Sequence, residues 1–311
     1  KVDYVTIYMK YLVSGGAGFV GSYLVEELLN QGHKVIVVDD LSNGNESNLK
    51  PSPNLEIKIA NVVNVKIDDK IDGVFHLATV PRSFSLDDPI NDIEINCKGM
   101  INMLELSRKN NCKIVFTSNS GIAGSMDLEV PIDENYPDRP STPYDADKLV
   151  CEHYAKIYHN VYGTKCAMVR FATIYGYKQV VNEKLNWKPL VATFLKQMKN
   201  NEQIYINGDG NQTRDLTYVK DAVQGVIKAM FSEVIDSQIA IISTQTETSV
   251  NQVFKILKEK IGYDKEPIYT DALKGDLKSM KLSYKKATEI YGYEPKYTPE
   301  EGISEMIQLF E

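Results

Sequence analysis

Short apolar runs alternate with longer amphipathic stretches through the first half of the chain. "KYLVSG" (10–15), "KVIVVDD" (34–40) and "GVFHLAT" (73–79) are apolar runs of strand length. "KIVFTS" (113–118) is a fourth predicted strand and "CAMVRFATIYG" (166–176) a fifth. Between them "FVGSYLVEELLNQG" (19–32) reads as a helix closed by Gly32, and "IEINCKGMINMLELSRKNN" (93–111) as an amphipathic helix. "YDADKLVCEHYAKIYHNVYG" (144–163) is a long helix ending at Gly163. Such alternation predicts an α/β fold built on a parallel, doubly wound sheet. Beyond about residue 176 the pattern loosens and fills with polar and Tyr residues, as expected of a smaller part that caps a substrate.

Composition narrows the picture. The 311 residues are ample for a real core, and 43% hydrophobic with 25% charged content is globular. A formal charge of −7 argues against nucleic acid as a partner, because phosphate binding wants a basic face. A small anionic ligand is still compatible, since local amides and a few arginines can hold it. Cys97, Cys112, Cys151 and Cys166 form no CxxC, and with only four His no metal-ligand spacing emerges. Isolated cysteines in apolar surroundings predict a reducing, cytoplasmic setting. No apolar stretch of about 18 residues occurs, so no membrane span is expected. "KVDYVTIY" lacks a signal-peptide pattern. Met9 followed by Lys10 reads as a natural start, with residues 1–8 as an addition ahead of it.

"SGGAGFVGSYL" lies between a predicted strand and a predicted helix, as Gly15-x-x-Gly18-x-x-Gly21 or Gly16-x-Gly18-x-x-Gly21. Glycines there permit a tight turn and let amides approach a pyrophosphate at a helix N-terminus. The next strand ends at Asp39, 18 residues after Gly21, where an acid can accept hydrogen bonds from an adenosine ribose. No Arg or Lys stands in "DDLSNGNESN", so a 2′-phosphate would find no cation and NAD is favoured over NADP. A plain strand–helix turn with a surface acid is the weaker alternative. The expected layout is a Rossmann-type NAD-binding domain, residues 1–172 with a returning segment about 213–243. A discontinuous C-terminal substrate domain would hold 173–311 (about 173–212 and 244–311).

Tyr144 and Lys148, four apart on one predicted helix, share a face. A phenol with a pKa near 10 is a poor base at neutral pH. A nearby ammonium and an oxidised nicotinamide would both favour the phenolate. The polar loop Thr117, Ser118, Asn119, Ser120 ends the fourth predicted strand and would face this pair.

These motifs together resemble the extended short-chain dehydrogenase/reductases, specifically the NAD-dependent epimerase/dehydratase family that acts on nucleotide sugars. The resemblance rests on "GGAGFVGSYL", "VDDLSNG", "FHLAT", "VPRSFSLDDP", "NCKGMINMLE", "PYDADKLVCE", "VRFATIYG" and "GDGNQTRDLTYVKDAV", and spans nearly the whole chain. "DDLSNG" and "VPRS" are most similar to UDP-glucose 4-epimerase-like members. The family implies that Tyr144 takes the proton of the sugar 4-hydroxyl while hydride passes to NAD. The 4-keto sugar then turns over and takes the hydride back on its other face. The NAD positions it implies are Gly15, Gly18, Phe19, Val20, Gly21, Asp39, Leu41, Asn43, Gly44, Asn61, Val62, Leu77, Ala78, Thr79 and Asn96, besides Tyr144 and Lys148. Arg82, Ser83, Thr173, Arg214 and Lys274 are the implied substrate contacts.

Departures from the family pattern matter as much. Its catalytic Ser or Thr falls on Asn119, flanked by Ser118 and Ser120; an amide can hydrogen-bond a sugar oxygen but cannot relay a proton. Ser118, reoriented, is the other candidate. Acids that dehydratases and decarboxylases carry after that position are replaced by Ser120 and Gly121, which favours epimerisation. Asn61 stands where an adenine-binding Asp is usual, its carbonyl oxygen able to bond the amino group. Thr173 replaces an Asn that contacts substrate phosphate. Arg214 is expected to pair with the diphosphate, and Lys274 in "ALKGD" stands near where a second arginine is usual. Two other readings remain: a dehydratase or reductase on a modified hexosamine, or a catalytically weak relative that binds NAD and a sugar nucleotide.

Other residues read more plainly. His76 is expected to pack near the cofactor, and His153 and His159 to lie at a surface or interface. Trp187 marks a flap or a packed ring. Tyr205, Tyr218, Tyr269, Tyr284, Tyr291, Tyr293 and Tyr297 read as structural. Helices 93–111 and 144–163 carry apolar faces, and the family resemblance implies that such a pair builds a homodimeric four-helix interface, with Met100, Met103, Leu149 and Tyr154 as candidates.

Overall fold

The computed structural model describes residues 8–124, 131–179, 188–272 and 278–310. The chain opens with β1 (Lys10–Ser14), α1 (Phe19–Asn30), β2 (Lys34–Asp39), β3 (Leu55–Ile59) and β4 (Gly73–His76). Next come α2 (Pro89–Ile93), α3 (Gly99–Asn110), β5 (Lys113–Asn119), α4 (Pro143–Tyr162) and β6 (Cys166–Phe171). β7 (Thr173–Tyr175), α5 (Leu190–Lys199), β8 (Tyr205–Asn207), β9 (Thr213–Tyr218), α6 (Val219–Phe231) and β10 (Asp236–Ile242) follow. β11 (Glu247–Ser249), α7 (Val250–Ile261), β12 (Ile268–Thr270), α8 (Lys285–Tyr291) and α9 (Pro299–Leu309) complete the order.

Seven strands form one sheet in the order β10-β6-β5-β4-β1-β2-β3, all pairs parallel. Parallel strands buried on both faces cannot alternate apolar with polar, which is why each reads as a continuous apolar run. Successive side chains still point to opposite faces. Leu12, Ile36, Val74, Ile114 and Met168 thus belong to one buried cluster, while their neighbours Val13, Val37, Phe75, Val115 and Val169 belong to another. The second cluster is covered by α1 and α6, the first by α3 and α4.

Three expectations are corrected. The helix foreseen over 93–111 starts earlier, because Asp88 caps the amide of Asn91 and Pro89 fills the first turn of α2. A π-helical segment (94–98) then joins α2 to α3 and turns Asn96 and Cys97 into the interior. The fifth predicted strand breaks at Ala172: β6 stays in the main sheet, whereas β7 pairs with β9 in a three-stranded sheet, order β11-β9-β7. Met100 and Met103, foreseen at a subunit interface, are 0% and 1% exposed and belong to the core. The half-buried edge strand β3, paired with β2, was not among the expected strands.

α4 carries much of the site. Thr142 caps the amide of Asp145, Pro143 opens the first turn, and Gly163 closes the helix at φ 69°. Behind it Arg170 on β6 forks onto Glu152 with contacts of 2.8 and 2.7 Å, and reaches Asp138 at 3.1 Å.

Candidate functional site

A cavity of about 1280 Å³ opens at the C-terminal ends of β1, β2, β4 and β5 and extends to β7 and β9. That exceeds the roughly 300–1,000 Å³ of a pocket for one drug-sized ligand, so two ligands can lie end to end. It sits where the sheet order reverses beside β1, the place at which doubly wound folds bind their ligands.

At one end lies the glycine turn. Gly15 has φ 74°, and a Cβ there would come within 2.7 Å of the Ala78 amide nitrogen. A Cβ at Gly21 would stand 2.1 Å from the Gly15 carbonyl oxygen, so α1 can lean on the turn only with glycine there. Gly18 precedes α1 with no side-chain cap, which leaves the first amides of the helix facing the cavity for an anion. Asp39 closes β2; its carboxylate accepts from the amides of Ala17 and Leu41, both at 2.9 Å. Burial raises its carboxyl above the ordinary value, and the amide bonds work against that. Leu41 holds φ 60° to make its bond. Asn61 donates to Asp40 at 3.1 Å and accepts from the Val63 amide at 2.9 Å, so part of its carbonyl capacity is already used.

At the other end Tyr144 and Lys148 stand one turn apart on α4. Lys148 is 2% exposed; Nζ donates to the Thr117 carbonyl at 3.1 Å and lies 4.9 Å from the Phe116 ring centroid and 5.5 Å from that of Tyr144. Burial pushes its ammonium down to about 8. The Tyr144 phenol is pushed up by burial, with contact to Thr79 acting the other way. In the protein alone, burial thus outweighs the expected lowering of this phenol. His76, 1% exposed, shares a 2.7 Å hydrogen bond with Ser14, and burial, then the Lys148 charge, lowers it to about 3. It is a packed neutral imidazole.

The loop opposite Tyr144 is rich in unanswered polar atoms. Ser118 Oγ, Asn119 Nδ2 and Ser120 Oγ are buried, line the cavity and have no hydrogen-bond partner among the described residues. Buried polar groups without partners are costly, so such a cluster in a cavity is the signature of a polar ligand.

The cavity gathers Gly15, Gly18, Phe19, Val20, Gly21, Asp39, Asn43, Gly44, Asn61, Val62, Leu77, Ala78 and Thr79 with Arg82, Ser118, Asn119, Tyr144, Lys148, Thr173 and Arg214. Leu41, Ser83 and Asn96 stand outside its wall. Asn96 acts one layer back, accepting from Thr79 at 2.7 Å and donating to Asp92 at 2.8 Å. Asp92 is raised to about 7 by burial and by the neighbouring Asp147 carboxyl, which burial also raises. Lys274 and Trp187 lie outside the described residues. The sequence reasoning missed Asp145, whose carboxylate is wholly buried beside Tyr144 and bound by Arg82; its signal was the unusual run of acids in "PYDADK".

A parallel sheet with a glycine turn, an acid closing the second strand and a Tyr–Lys pair on a helix across the cavity defines a dinucleotide-dependent enzyme. Residues 11–239 match the model of the NAD dependent epimerase/dehydratase family, and the chain belongs to that family. A putative UDP-glucose 4-epimerase of Methanocaldococcus jannaschii is 36% identical over 95% of this chain and 96% of its own. The crystal structure of a UDP-glucose 4-epimerase from Thermotoga maritima with UDP-glucose is 36% identical, with a TM-score of 0.89 over 97% of this chain and 98% of its own. A UDP-N-acetylglucosamine 4-epimerase from Methanobrevibacter ruminantium M1, in complex with UDP-N-acetylmuramic acid, is 27% identical, with a TM-score of 0.92 over 97% and 98% of the two chains. NAD is the cofactor of this family, and the residues present fit it: a glycine turn, uncommitted helix amides and an oriented acid with no cation acting on it among the described residues.

Proposed function

We propose that the protein is an NAD-dependent nucleotide-sugar 4-epimerase acting on a UDP-hexose or UDP-hexosamine through a transient 4-keto sugar. The observation that carries this reading is the meeting of Tyr144 and Lys148 with the unpartnered polar atoms of Ser118, Asn119 and Ser120 at one end of the cavity. NAD, when bound, supplies the hydride acceptor and donor for sugar C4 and a positive charge beside the phenol. Tyr144 takes the 4-hydroxyl proton and later returns it. Lys148 adds a second cation next to the phenol and is held by the Thr117 carbonyl. Asn119 can donate its amide to the sugar oxygen, which positions it without carrying a proton. The glycine turn and Asp39 hold the cofactor, with Leu41, Asn43, Gly44, Asn61, Val62, Leu77, Ala78, Thr79 and Asn96 around it. Arg214 and Thr173 face the substrate diphosphate, with Lys274 assigned to the same role. The parts 173–212 and 244–311 serve as the substrate domain.

Gly121 leaves no acid of its own beside the loop for work at C5, which favours epimerisation over dehydration. The protein is assigned to the cytoplasm on its four free, buried cysteines. We also assign it a homodimer through α4 and its neighbours. In place of Met100 and Met103, the apolar residues exposed there are Val150, Ile157 and Val161 on α4 with Leu86, Ile90 and Ile93 before and on α2.

A proton NMR time course with NAD and UDP-glucose, UDP-galactose or their N-acetyl forms tests the activity. A new anomeric signal from a product of equal mass is the expected result. Loss of water would move the protein to the dehydratases, and silence across the panel with NAD bound would retire the reading.

A further inference from the structure

The end of the cavity that faces Tyr144 holds an ion pair on which none of the proposed chemistry draws. Asp145, the residue after Tyr144, has a side chain 0% exposed, and Arg82 forks onto it: Nε lies 3.0 Å from Oδ1 and Nη2 2.7 Å from Oδ2. Nη2 also donates to Ser141 Oγ at 3.0 Å, and Thr142 Oγ1 donates to the same carboxylate at 2.8 Å. Burial works against the Asp145 charge, yet Arg82, Thr142 and Ser141 together hold its carboxyl below the ordinary value. Arg82 lines the cavity with 42% of its side chain exposed, and its charge is felt by the Tyr144 phenol.

The carboxylate also reaches the loop across the site. A Cβ on Gly121 would come within 2.8 Å of Asp145 Oδ1 and 2.5 Å of Asn119 Oδ1, so these two oxygens fill the space that a side chain at 121 would need. At this point the charge of Arg82 is already engaged by Asp145. If Arg82 swung to an incoming carboxylate, Asp145 would be left buried and charged without its partner. If Arg82 stayed, the incoming carboxylate would give up its water to a guanidinium whose charge the buried Asp145 already balances, for little net attraction.

We propose that Asp145, by holding Arg82, restricts this site to nucleotide sugars with no carboxylate on ring carbon C5, so that it takes hexoses and N-acetylhexosamines and rejects hexuronates. The argument rests on the 4-epimerase reading in one respect. A ring that turns its other face to the cofactor exchanges the sides on which C3 and C5 lie. A C5 substituent would then face the Arg82 side of the cavity in one of the two epimers. Asp145 acts through Arg82 and is a specificity-determining residue, not a catalytic one.

Calorimetric titration of the NAD-saturated protein with UDP, UDP-glucose and UDP-glucuronate, for the wild type and for D145N, tests this. The wild type is expected to bind UDP-glucuronate at least tenfold more weakly than UDP-glucose. D145N, which removes the buried charge and releases the guanidinium, is expected to close that gap at least tenfold while UDP affinity stays as it was. Equal affinities in the wild type overturn the proposal. So does an unchanged ratio in a D145N protein that still binds UDP. Should D145N fail to fold, the wild-type ratio decides by itself. The two readings fail separately: no turnover of neutral sugars with the binding ratio as expected removes the epimerase and leaves the charge filter, whereas turnover with equal binding removes only the filter.

Discussion

Tyr144 shows what a single residue can and cannot do in this environment. Burial raises the phenol, which makes it a worse base in the protein alone. Its usefulness depends on positive charge brought beside it. Tyr144→Phe is expected to lower kcat at least ~100-fold, the lower end of what a positioned acid–base group supplies, with NAD still bound; a variant that keeps its turnover removes Tyr144 from the base role. Lys148 carries a signature that can be read without substrate. Its ammonium sits at about 8 in the folded protein against 10.5 when free. The unfolded chain therefore holds that proton more tightly, and the contribution of this group to stability is poorest below pH 8 and improves as pH rises towards 10.5. Lys113, also lowered to about 8 by burial, adds to the same slope in the wild type. Comparing the pH dependence of unfolding between pH 7 and 10 in wild type and K148M cancels Lys113, and a shallower slope in K148M is the expected outcome. Parallel slopes would place the Lys148 proton elsewhere.

At the scale of elements, α4 is the part on which the proposed chemistry hangs. Its start is set by Thr142 and Pro143, and one buried face then presents Asp145, Lys148 and Glu152 within two turns. Glu152 ties that face to Arg170 on β6, both almost wholly buried. Removing one partner strands the other charge, so Glu152→Ala is expected to cost about 3–5 kcal/mol by chemical denaturation. Asp138, also on Arg170, takes up part of the imbalance, and a loss under ~1 kcal/mol would mean that it takes up nearly all of it. The elements were the most legible part of the sequence. Continuous apolar runs identified β1, β2, β4 and β5 because both faces of a parallel sheet are covered. β3 and the break at Ala172 escaped, the first because it is a half-buried edge strand whose apolar residues alternate with Glu56 and Lys58, the second because leaving one sheet for another leaves no mark in an apolar run.

For the molecule as a whole, the exposed side chains of α4 make the case for a second copy. Val150, Ile157 and Val161 are 40%, 49% and 64% exposed and lie seven and four residues apart, which puts them on one stripe of the helix. A stripe of this kind on a helix otherwise committed to the core favours an interface. Sedimentation is expected to give about twice the mass of one chain, and the double variant I157D/V161D to give a single chain that still binds NAD. A wild-type protein that sediments as one chain would end the dimer assignment.

What the sequence determined by itself is what is written locally. The glycine turn, the acid at the end of β2 and the Tyr–Lys spacing each depend on residues within one strand–turn–helix or one helical turn, so spacing was enough to find them. The tertiary structure alone decided which distant groups share a space. Met100 and Met103 lie on an apolar helix face whose covering is set by the sheet, not by the helix. Arg82 reads in sequence as a loop cation free to meet substrate, but folding brings it to Asp145, 63 positions away, and commits its fork there. Pairing between a buried carboxylate and one of several cations follows from where the backbone places them, and that is settled only when the sheet has closed around both.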